Sequence, residues 1–388
     1  MGAGERTAVL SASPRTAGGS DRVGIDYLPA VSHAPGVGRY ARELVRALVR
    51  LPDAPELRLF QVGGARPVIG EPALGLADAP GKVRRLRLRA PRRLLERALR
   101  LTRLGADSLL GGVPLFHRIH PDWPPVARAL ELQPVSELPP PASPEERRLG
   151  ALFADKDHFL AFSEHGAREL ERRFALDPGR VHRVPVGCDH WLRAFDEVPR
   201  PDSIPTLLVL GAVRTGRHHA QIAAAFEHLW KKELAGRLLI LGHRGDAADA
   251  FEAQLSASPA REAVHWIERP REGQLPAVVA SASVLVHLSE GELTPVTPLE
   301  ALSFGRAVVA SRLPAFEEAL GDEAQWVANA ELGDGPEPLV EALERALESA
   351  GDLFAESRRR ALAARFTWAA HAAATVDVWR AILADGRP

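Results

Sequence analysis

Two carboxylates eight positions apart flank the predicted start of a helix. Glu292 lies in the polar loop before that helix, and Glu300 lies in its first turns. The surrounding segment, residues 284–311, opens with an apolar stretch that predicts a strand and closes with a second one after Gly305. Helix N-termini at the carboxyl ends of parallel strands bind anionic ligands in open α/β sheets. The spacing therefore predicts an anion-binding site around these two acids.

The same residues have a purely structural interpretation. Thr297, Pro298 and Glu300 fit a capping box, in which the Thr and the Glu bond each other's backbone N–H groups. From these residues alone, helix capping and ligand binding stay equally open. Glu292 can also be interpreted as a solvated acid of the loop. Glu290, two positions earlier, is a second candidate for the first acid of the pair.

A basic loop follows the strand predicted at 206–211. It runs from Gly211 to residue 219 and contains Arg214 and Arg217. A guanidinium binds phosphate through a planar fork of N–H donors, so both arginines are candidates to hold the anion. A solvated basic loop is the structural alternative.

The segment around the two acids resembles the signature of retaining nucleotide-sugar glycosyltransferases of the GT-B fold, family 4. The positions that match are Ser289, Glu292, Glu300, Ala301, Gly305, Ala310 and Ser311. Between the two acids the family usually has Gly-Phe-Gly-Leu-Pro, whereas this chain has Leu-Thr-Pro-Val-Thr at 293–297. The frame of the donor loop is therefore similar, and its sequence is altered.

The resemblance implies a role for each residue of this site. Glu300 is expected to hold the ribose hydroxyls of the donor, because a carboxylate can accept hydrogen bonds from two vicinal hydroxyls. Glu292 is expected to accept hydrogen bonds from the donor sugar. Backbone N–H groups of the donor loop are expected to face the diphosphate. The residues of this loop are Thr294, Pro295, Val296 and Thr297.

The loop after Gly211 lacks one of the two cationic residues that the family has there. The family carries Gly-Arg and then Lys there, and the two cations neutralise the leaving diphosphate. In this chain Ala212 replaces the Arg, and Arg217 replaces the Lys. Arg214 is the candidate for the missing charge.

The first half of the chain contains Gly36-Val37-Gly38-Arg39, the start of a G-x-G-x-x-A pattern. A dinucleotide site requires this pattern directly after its strand. Here about eight residues separate it from the strand predicted at 23–28, and Gln61 replaces the acid expected after the next strand. These departures argue against NAD. The resemblance instead implies a Gly-rich loop on the acceptor side of the cleft, where Gly36 and Gly38 let the backbone approach the sugar and the diphosphate and Arg39 can point into the cleft.

His117 follows a strand predicted at 114–116. The resemblance makes it a candidate catalytic histidine, although a lone histidine is more often structural. The family's second motif, His-Asp, is missing, and the corresponding region at 130–135 offers only Glu131 and Gln133 as substitutes. This is the largest departure from the family pattern. No His, Cys and Asp spacing in the sequence predicts a metal site.

Composition argues against several classes of protein. The 388-residue chain has a net charge of −1 and a pI near 6.9, which gives no global basic field for nucleic acid. Cys188 is the only cysteine, so an intrachain disulfide cannot form. No apolar run predicts a membrane span, and the N-terminus lacks the apolar centre of a secretory signal. A cytoplasmic location is expected, with peripheral contact at the inner face of the membrane left open.

Apolar strands alternate with predicted helices in both halves of the chain. Continuous apolar strands indicate parallel sheets covered on both faces. The fold class is therefore α/β, and the resemblance implies the GT-B arrangement of two Rossmann-like domains across a cleft. The predicted divisions are a flexible tail at 1–22, an acceptor-binding domain at 23–195, a linker at 196–205, a nucleotide-sugar-binding domain at 206–368 and a helix at 369–388 that crosses back to the first domain.

Residues 82–103 contain ten Lys and Arg against one Glu. Pro91 can start a helix there, with one apolar face. The residues of that face are Leu94, Leu95, Ala98, Leu101 and Leu104. A basic amphipathic helix can lie on an anionic membrane. A helix that packs its leucine face on the first domain is an equal alternative.

The expected function is that of a retaining glycosyltransferase. Such an enzyme moves a sugar from a nucleoside diphosphate sugar to a hydroxyl of a carbohydrate or lipid-linked acceptor. The resemblance implies a metal-independent site that needs no cofactor. The missing motifs keep open a degenerate transferase-like protein that binds a nucleotide or a protein partner without transfer. A phosphorylase or epimerase of the same fold ranks third.

Overall fold

Two parallel sheets form the framework of the protein. The computed structural model describes residues 22–32, 36–64, 69–70, 74–76, 82–333 and 335–386. The tail predicted at 1–22 lies outside these residues, except for Arg22, which begins the first strand.

The first sheet has seven strands, all parallel, in the order β3-β2-β1-β4-β5-β6-β7. Its strands are β1 (Arg22–Asp26), β2 (Glu56–Val62), β3 (Val83–Leu88), β4 (Leu115–His117), β5 (Leu130–Val135), β6 (His158–Ala161) and β7 (Val181–Arg183). The helices of this part are α1 (Leu28–Ser32), α2 (Val37–Leu48), α3 (Arg92–Thr102), α4 (Ala106–Leu109), α5 (Pro144–Phe153) and α6 (Glu164–Phe174).

The second sheet has six parallel strands in the order β10-β9-β8-β11-β12-β13. Its strands are β8 (Thr206–Leu210), β9 (Arg237–Leu241), β10 (Val264–Ile267), β11 (Val284–His287), β12 (Ala307–Ser311) and β13 (Gln325–Val327). The later helices are α7 (His219–Lys231), α8 (Ala248–Ala257), α9 (Leu275–Ser281), α10 (Val296–Ser303), α11 (Pro314–Leu320), α12 (Glu337–Glu348), α13 (Leu353–Ala363) and α14 (Trp368–Asp385).

The central strands are covered on both faces, as the continuous apolar runs predict. Every residue of β4, β11 and β12 is buried. Burial of alternate side chains on opposite faces requires helices on both sides of each sheet. The predicted α/β class with two Rossmann-like sheets is therefore confirmed.

The last helix, α14, packs against α2 of the first sheet's domain. Trp368 and Trp379 are buried in the same apolar cluster as Leu44 and Ile25. The fit is close at Gly187, where an added Cβ would lie 2.4 Å from the backbone nitrogen of Trp368. The end of the chain thus completes the core around its beginning.

The basic segment at 82–103 contains the helix that Pro91 was expected to start. Residues 83–88 form β3, the edge strand beside β2, and only the later part is helical. Within the predicted apolar face, Leu94 and Leu101 are 65% and 76% exposed, whereas Leu99, which lies outside that face, is buried. The helix therefore buries a narrow stripe, and the leucines beyond it remain in solvent.

Replacement of Trp379 by Ala is expected to lower the thermal unfolding midpoint strongly. The ring is 1% exposed and its loss leaves a large cavity, which costs about 3–5 kcal/mol. Trp230 is 37% exposed and serves as the matched control, with little expected effect. Thermal scans of both variants check this, and equal losses would contradict the structural role of α14.

Candidate functional site

The helix α10 begins two residues earlier than the capping box requires. Its N-cap is Pro295, and no side chain caps it. Thr297 and Pro298 therefore lie inside the helix, and the capping-box interpretation is wrong. Glu300 faces the boundary between the two domains instead, with a side chain that is 1% exposed.

Glu300 meets a guanidinium and an imidazole from outside its own sheet. Arg39 Nη1 donates to Glu300 Oε1 at 2.8 Å, and His190 Nε2 lies 3.2 Å from the same oxygen. Burial alone would raise the pKa of Glu300, but Arg39 and His190 outweigh it and hold that pKa below its ordinary value. A carboxylate in this setting stays ionised and can accept further hydrogen bonds.

Arg39 comes from α2 and connects the two domains. Its Nε donates to Glu272 Oε1 at 2.8 Å, and its guanidinium carbon lies 4.5 Å from the ring centre of Trp191. Arg42 Nη2 lies 3.3 Å from the same Glu272 oxygen. The guanidinium therefore stacks on an aromatic face while it bridges two acids.

Glu292 forms a second cluster at the donor loop. Its Oε2 lies 2.9 Å from His287 Nε2, and Arg217 Nη2 bonds its other oxygen. Arg217 Nη1 lies 3.2 Å from the same His287 nitrogen. Burial opposes ionisation of Glu292, yet His287 and Arg217 together lower its pKa to about 2. Glu292 is thus fully ionised at neutral pH and locked to a cation.

The first domain contacts the donor loop directly. Ser163 Oγ donates to the carbonyl oxygen of Leu293 at 2.8 Å, and the Leu293 amide donates to the Ser136 carbonyl at 3.3 Å. Arg214 Nη2 donates to Glu137 Oε1 at 2.7 Å. The first domain therefore bonds the second domain at two loops, the one between β11 and α10 and the one after β8.

The remaining predicted donor residues lie in this loop, at the start of α10 or after β8. Thr294 is 6% exposed, and Val296 packs against the apolar core of the first domain. Gly211 follows β8 with φ 142°, and a Cβ at Gly242 would lie 1.7 Å from its carbonyl oxygen. The residues that follow β8 and β9 therefore approach so closely that Gly242 has no room for a side chain.

The two predicted acceptor-side glycines lie at the start of α2. Gly36 has φ 58°, which favours glycine, and Gly38 is buried within the helix. Their position next to Arg39 sets the entry of α2 toward the second domain.

His117 lies in a different environment from the two acidic clusters. Trp379 Nε1 donates to its Nδ1 at 3.2 Å, and its Nε2 lies 3.2 Å from the Tyr40 hydroxyl. Burial and then His371 lower its pKa to about 3, so the ring is neutral. Both ring nitrogens have partners inside the first domain, and its catalytic role stays a prediction.

The two proposed substitutes for the missing motif are engaged elsewhere. Glu131 binds Arg118 and Lys156 Nζ, the latter at 3.2 Å. Gln133 Nε2 donates to the Pro134 carbonyl at 2.7 Å. Neither bonds any residue of the Glu292 or Glu300 clusters.

Three site residues escaped sequence analysis, namely His190, Trp191 and His287. His190 and Trp191 lie far in sequence from Glu300 and Arg39, which they contact. His287 ends β11 and belongs to no motif. Among the residues that the structure describes, no group of three or more His, Cys, Asp and Glu could hold a metal ion. In that same part of the chain, no helix combines the length and apolarity needed to cross a bilayer.

The fold is similar to that of solved sugar-transferring enzymes. Sucrose-phosphate synthase from Thermosynechococcus elongatus matches with a TM-score of 0.70 at 16% identity, over 94% of this chain and 100% of that one. A glycosyltransferase from Rickettsia africae matches with a TM-score of 0.64 at 12% identity, over 95% and 99%. This is the GT-B glycosyltransferase fold.

Sequence relatives point in the same direction. Residues 193–364, less than half of the chain, match the family described as glycosyl transferases group 1. D-inositol 3-phosphate glycosyltransferase 2 from Catenulispora acidiphila is 26% identical over 307 residues, which cover 71% of this chain and 67% of that protein. The serotype-specific mannosyltransferase WbdA from Escherichia coli is 26% identical over 141 residues, 36% of this chain and only 17% of WbdA. These similarities support a glycosyltransferase.

The GT-B first domain also contains a buried carboxyl that sequence analysis missed. Asp26 ends β1 and is fully buried. Burial raises its pKa to about 7, although Arg118 and the backbone N–H groups of Leu28 and His120 act to lower it. The sheet order reverses between β1 and β4, the position where α/β sheets form a ligand crevice.

Asp26→Asn is expected to stabilise the protein above neutral pH. An acid with a raised folded-state pKa favours folding while it is protonated, and this contribution is lost as pH rises from about 4 to about 7. The gain at pH 8 is up to about 4 kcal/mol. Melting temperatures from pH 5 to 8 test this, with the 98% exposed Asp249→Asn as control. Identical pH slopes for wild type and Asp26→Asn would contradict the assignment.

Proposed function

We propose that this protein is a retaining glycosyltransferase, family 4 in type, that takes a nucleoside diphosphate sugar as donor. The observation that carries the proposal is the juxtaposition of Glu292, Glu300 and Arg217 around the N-terminus of α10, at the boundary of two Rossmann-like domains. Main-chain amides and a guanidinium provide an anion site there, and a buried ionised carboxylate provides a ribose acceptor.

In the proposed reaction the protein positions reactants and stabilises charge. The bond between the anomeric carbon and the diphosphate oxygen breaks, and the acceptor oxygen bonds to that carbon from the same face. The acceptor proton passes to an oxygen of the leaving diphosphate. Arg217, Arg214 and the α10 amides stabilise the negative charge that develops on the diphosphate. This chemistry needs neither a metal nor a cofactor.

Closure of the two domains is the second part of the proposal. Contacts such as Ser163 with Leu293 close over the donor loop and exclude water, which limits hydrolysis of the donor. The acceptor is a hydroxyl of a carbohydrate or of a lipid-linked carbohydrate. The curated relatives bear the names mannosyltransferase and inositol 3-phosphate glycosyltransferase, and a hexose donor for this chain is proposed on that similarity alone.

One observation favours a second candidate function. Glu300 already bonds Arg39, and Arg217 already bonds Glu292. A degenerate transferase-like protein, which binds a nucleotide or protein partner without transfer, could keep these ion pairs permanently. The donor competes with them in the proposed enzyme.

Nucleotide binding separates the two. UDP, GDP, ADP and dTDP are titrated while the melting temperature is followed, and one of them should stabilise the protein by about 2.7 kcal/mol at a hundredfold excess over its Kd. Glu300→Gln and Arg217→Ala should lose this stabilisation, whereas Glu344→Ala, which breaks a distant ion pair with Lys232, should keep it. EDTA should change none of these values.

If no nucleotide shifts the melting curve, the transferase proposal loses its basis. A shift that needs Mg²⁺ or Mn²⁺ would contradict metal independence. A shift that survives both Glu300→Gln and Arg217→Ala would place the nucleotide somewhere else.

A peripheral membrane contact is proposed for the basic segment at 82–103. Leu88, Leu94 and Leu101 are exposed by 50%, 65% and 76%. They lie among exposed arginines of β3 and α3, including Arg93 and Arg97. Exposed leucines among arginines suit the headgroup region of an anionic bilayer, where each basic residue contributes about 1 kcal/mol. A cytoplasmic protein with this surface would bind the inner face of the membrane.

Sedimentation with vesicles tests this surface. Phosphatidylglycerol vesicles should bind the wild type several-fold more than phosphatidylcholine vesicles, and Leu94→Ser with Leu101→Ser should remove most of the difference. The control is Leu353→Ser with Phe354→Ser, because these side chains are 69% and 82% exposed on the other domain. Equal binding to both lipids, or equal losses in both double variants, would reject the membrane contact.

A further inference from the structure

Arg39 is the one site cation among those described above that joins Glu300 to the first domain. It bonds Glu300 and Glu272, and its guanidinium stacks on Trp191. Its side chain is 11% exposed. The charge is therefore largely removed from water and depends on the acids around it.

Binding of a ribose to Glu300 would disturb this arrangement. Glu300 Oε1 lies within 3.2 Å of both Arg39 and His190, so this oxygen has little capacity left for ribose hydroxyls. Glu300 Oε2 has no hydrogen-bond partner among the described residues, so a ribose whose two hydroxyls bond both carboxylate oxygens must compete with Arg39 for Oε1. A guanidinium that loses one of its two acids in a buried site then requires another anion, since an unpaired buried charge is costly.

The other two site arginines also bond acids before a diphosphate enters. Arg217 bonds Glu292, and Arg214 bonds Glu137 at 2.7 Å. In a nucleoside diphosphate the phosphates follow the ribose directly, so they enter beside the atom that Arg39 releases. A planar guanidinium can bond two phosphate oxygens at once.

We infer that Arg39 exchanges Glu300 for the diphosphate of the donor when the nucleotide binds. This inference rests on the proposed function and adds a donor-binding residue from the first domain, which sequence analysis had placed on the acceptor side. Because Arg39 belongs to α2, its bond to the diphosphate draws the first domain onto the donor. The same residue hinders binding of the ribose and favours binding of the phosphates.

The exchange predicts opposite effects on two ligands. Arg39→Ala should bind a nucleoside at least as tightly as the wild type, because the competitor for Glu300 is gone. It should bind the matching nucleoside diphosphate more weakly, by roughly tenfold or more, because a charge-assisted contact is lost. The ratio of nucleoside Kd to diphosphate Kd should therefore fall by at least about tenfold.

The experiment measures both dissociation constants by calorimetry for four proteins. The ligands are UDP, GDP, ADP and dTDP with their nucleosides. The proteins are wild type, Arg39→Ala, Arg39→Lys and Glu318→Ala. Arg39→Lys keeps the charge and should recover part of the diphosphate affinity. In Glu318→Ala the interdomain bonds from the amides of Glu164 and His165, at 2.8 and 3.0 Å, are lost without any change at Glu300, so its ratio should equal that of wild type.

The outcomes separate the inference from the function on which it rests. If a diphosphate binds and Arg39→Ala leaves the ratio unchanged, the exchange is overturned while the donor site stands. A ratio that falls equally in Glu318→Ala would show that domain contact in general, and not Arg39, sets phosphate affinity. If no nucleotide binds any of the four proteins, the proposed function fails and the inference fails with it.

Discussion

The structure of the site depends on one buried ion pair between domains. Glu300 is a carboxylate with almost no exposure, and it remains charged because Arg39 and His190 compensate for the lost solvation. Removal of the Arg39 charge would leave the Glu300 carboxylate unpaired in a medium that solvates it poorly, and removal of the carboxylate would do the same to Arg39. The entry of α2, the turn that carries His190 and the start of α10 are therefore fixed relative to one another by electrostatics as well as by packing.

The parallel sheets explain why these groups meet. All carboxyl ends of the strands in one sheet open on the same edge, so the loops after β8 and β11 are neighbours although 70 or more residues separate them. The loop after β11 then contributes Glu292, and the loop after β8 contributes Arg217. The pair lies where α10 directs its N-terminal amides, which adds a favourable field for a negative ligand.

Sequence patterns predicted the fold and singled out Glu292 and Glu300. They did not identify the distant residues that contact these two acids. Glu292 and Glu300 could be identified because their spacing around a helix start is a local property. The partners of Glu300 could not, since Arg39 is 261 positions away and no local rule joins them. The exposed position of Leu94 also depends on which face of α3 packs against the first domain, and helical periodicity alone does not specify that face.

The return of α14 to the first domain has a consequence for biosynthesis. Trp379 fills the core around β1, yet it is synthesised after all strands of the second sheet. The amino-terminal half therefore cannot bury its full apolar core until the second sheet has been synthesised, although domains often fold one after another as they emerge. The second sheet, whose strands end at Val327, can consolidate earlier. The second sheet can thus complete its core before the first, although it is synthesised later.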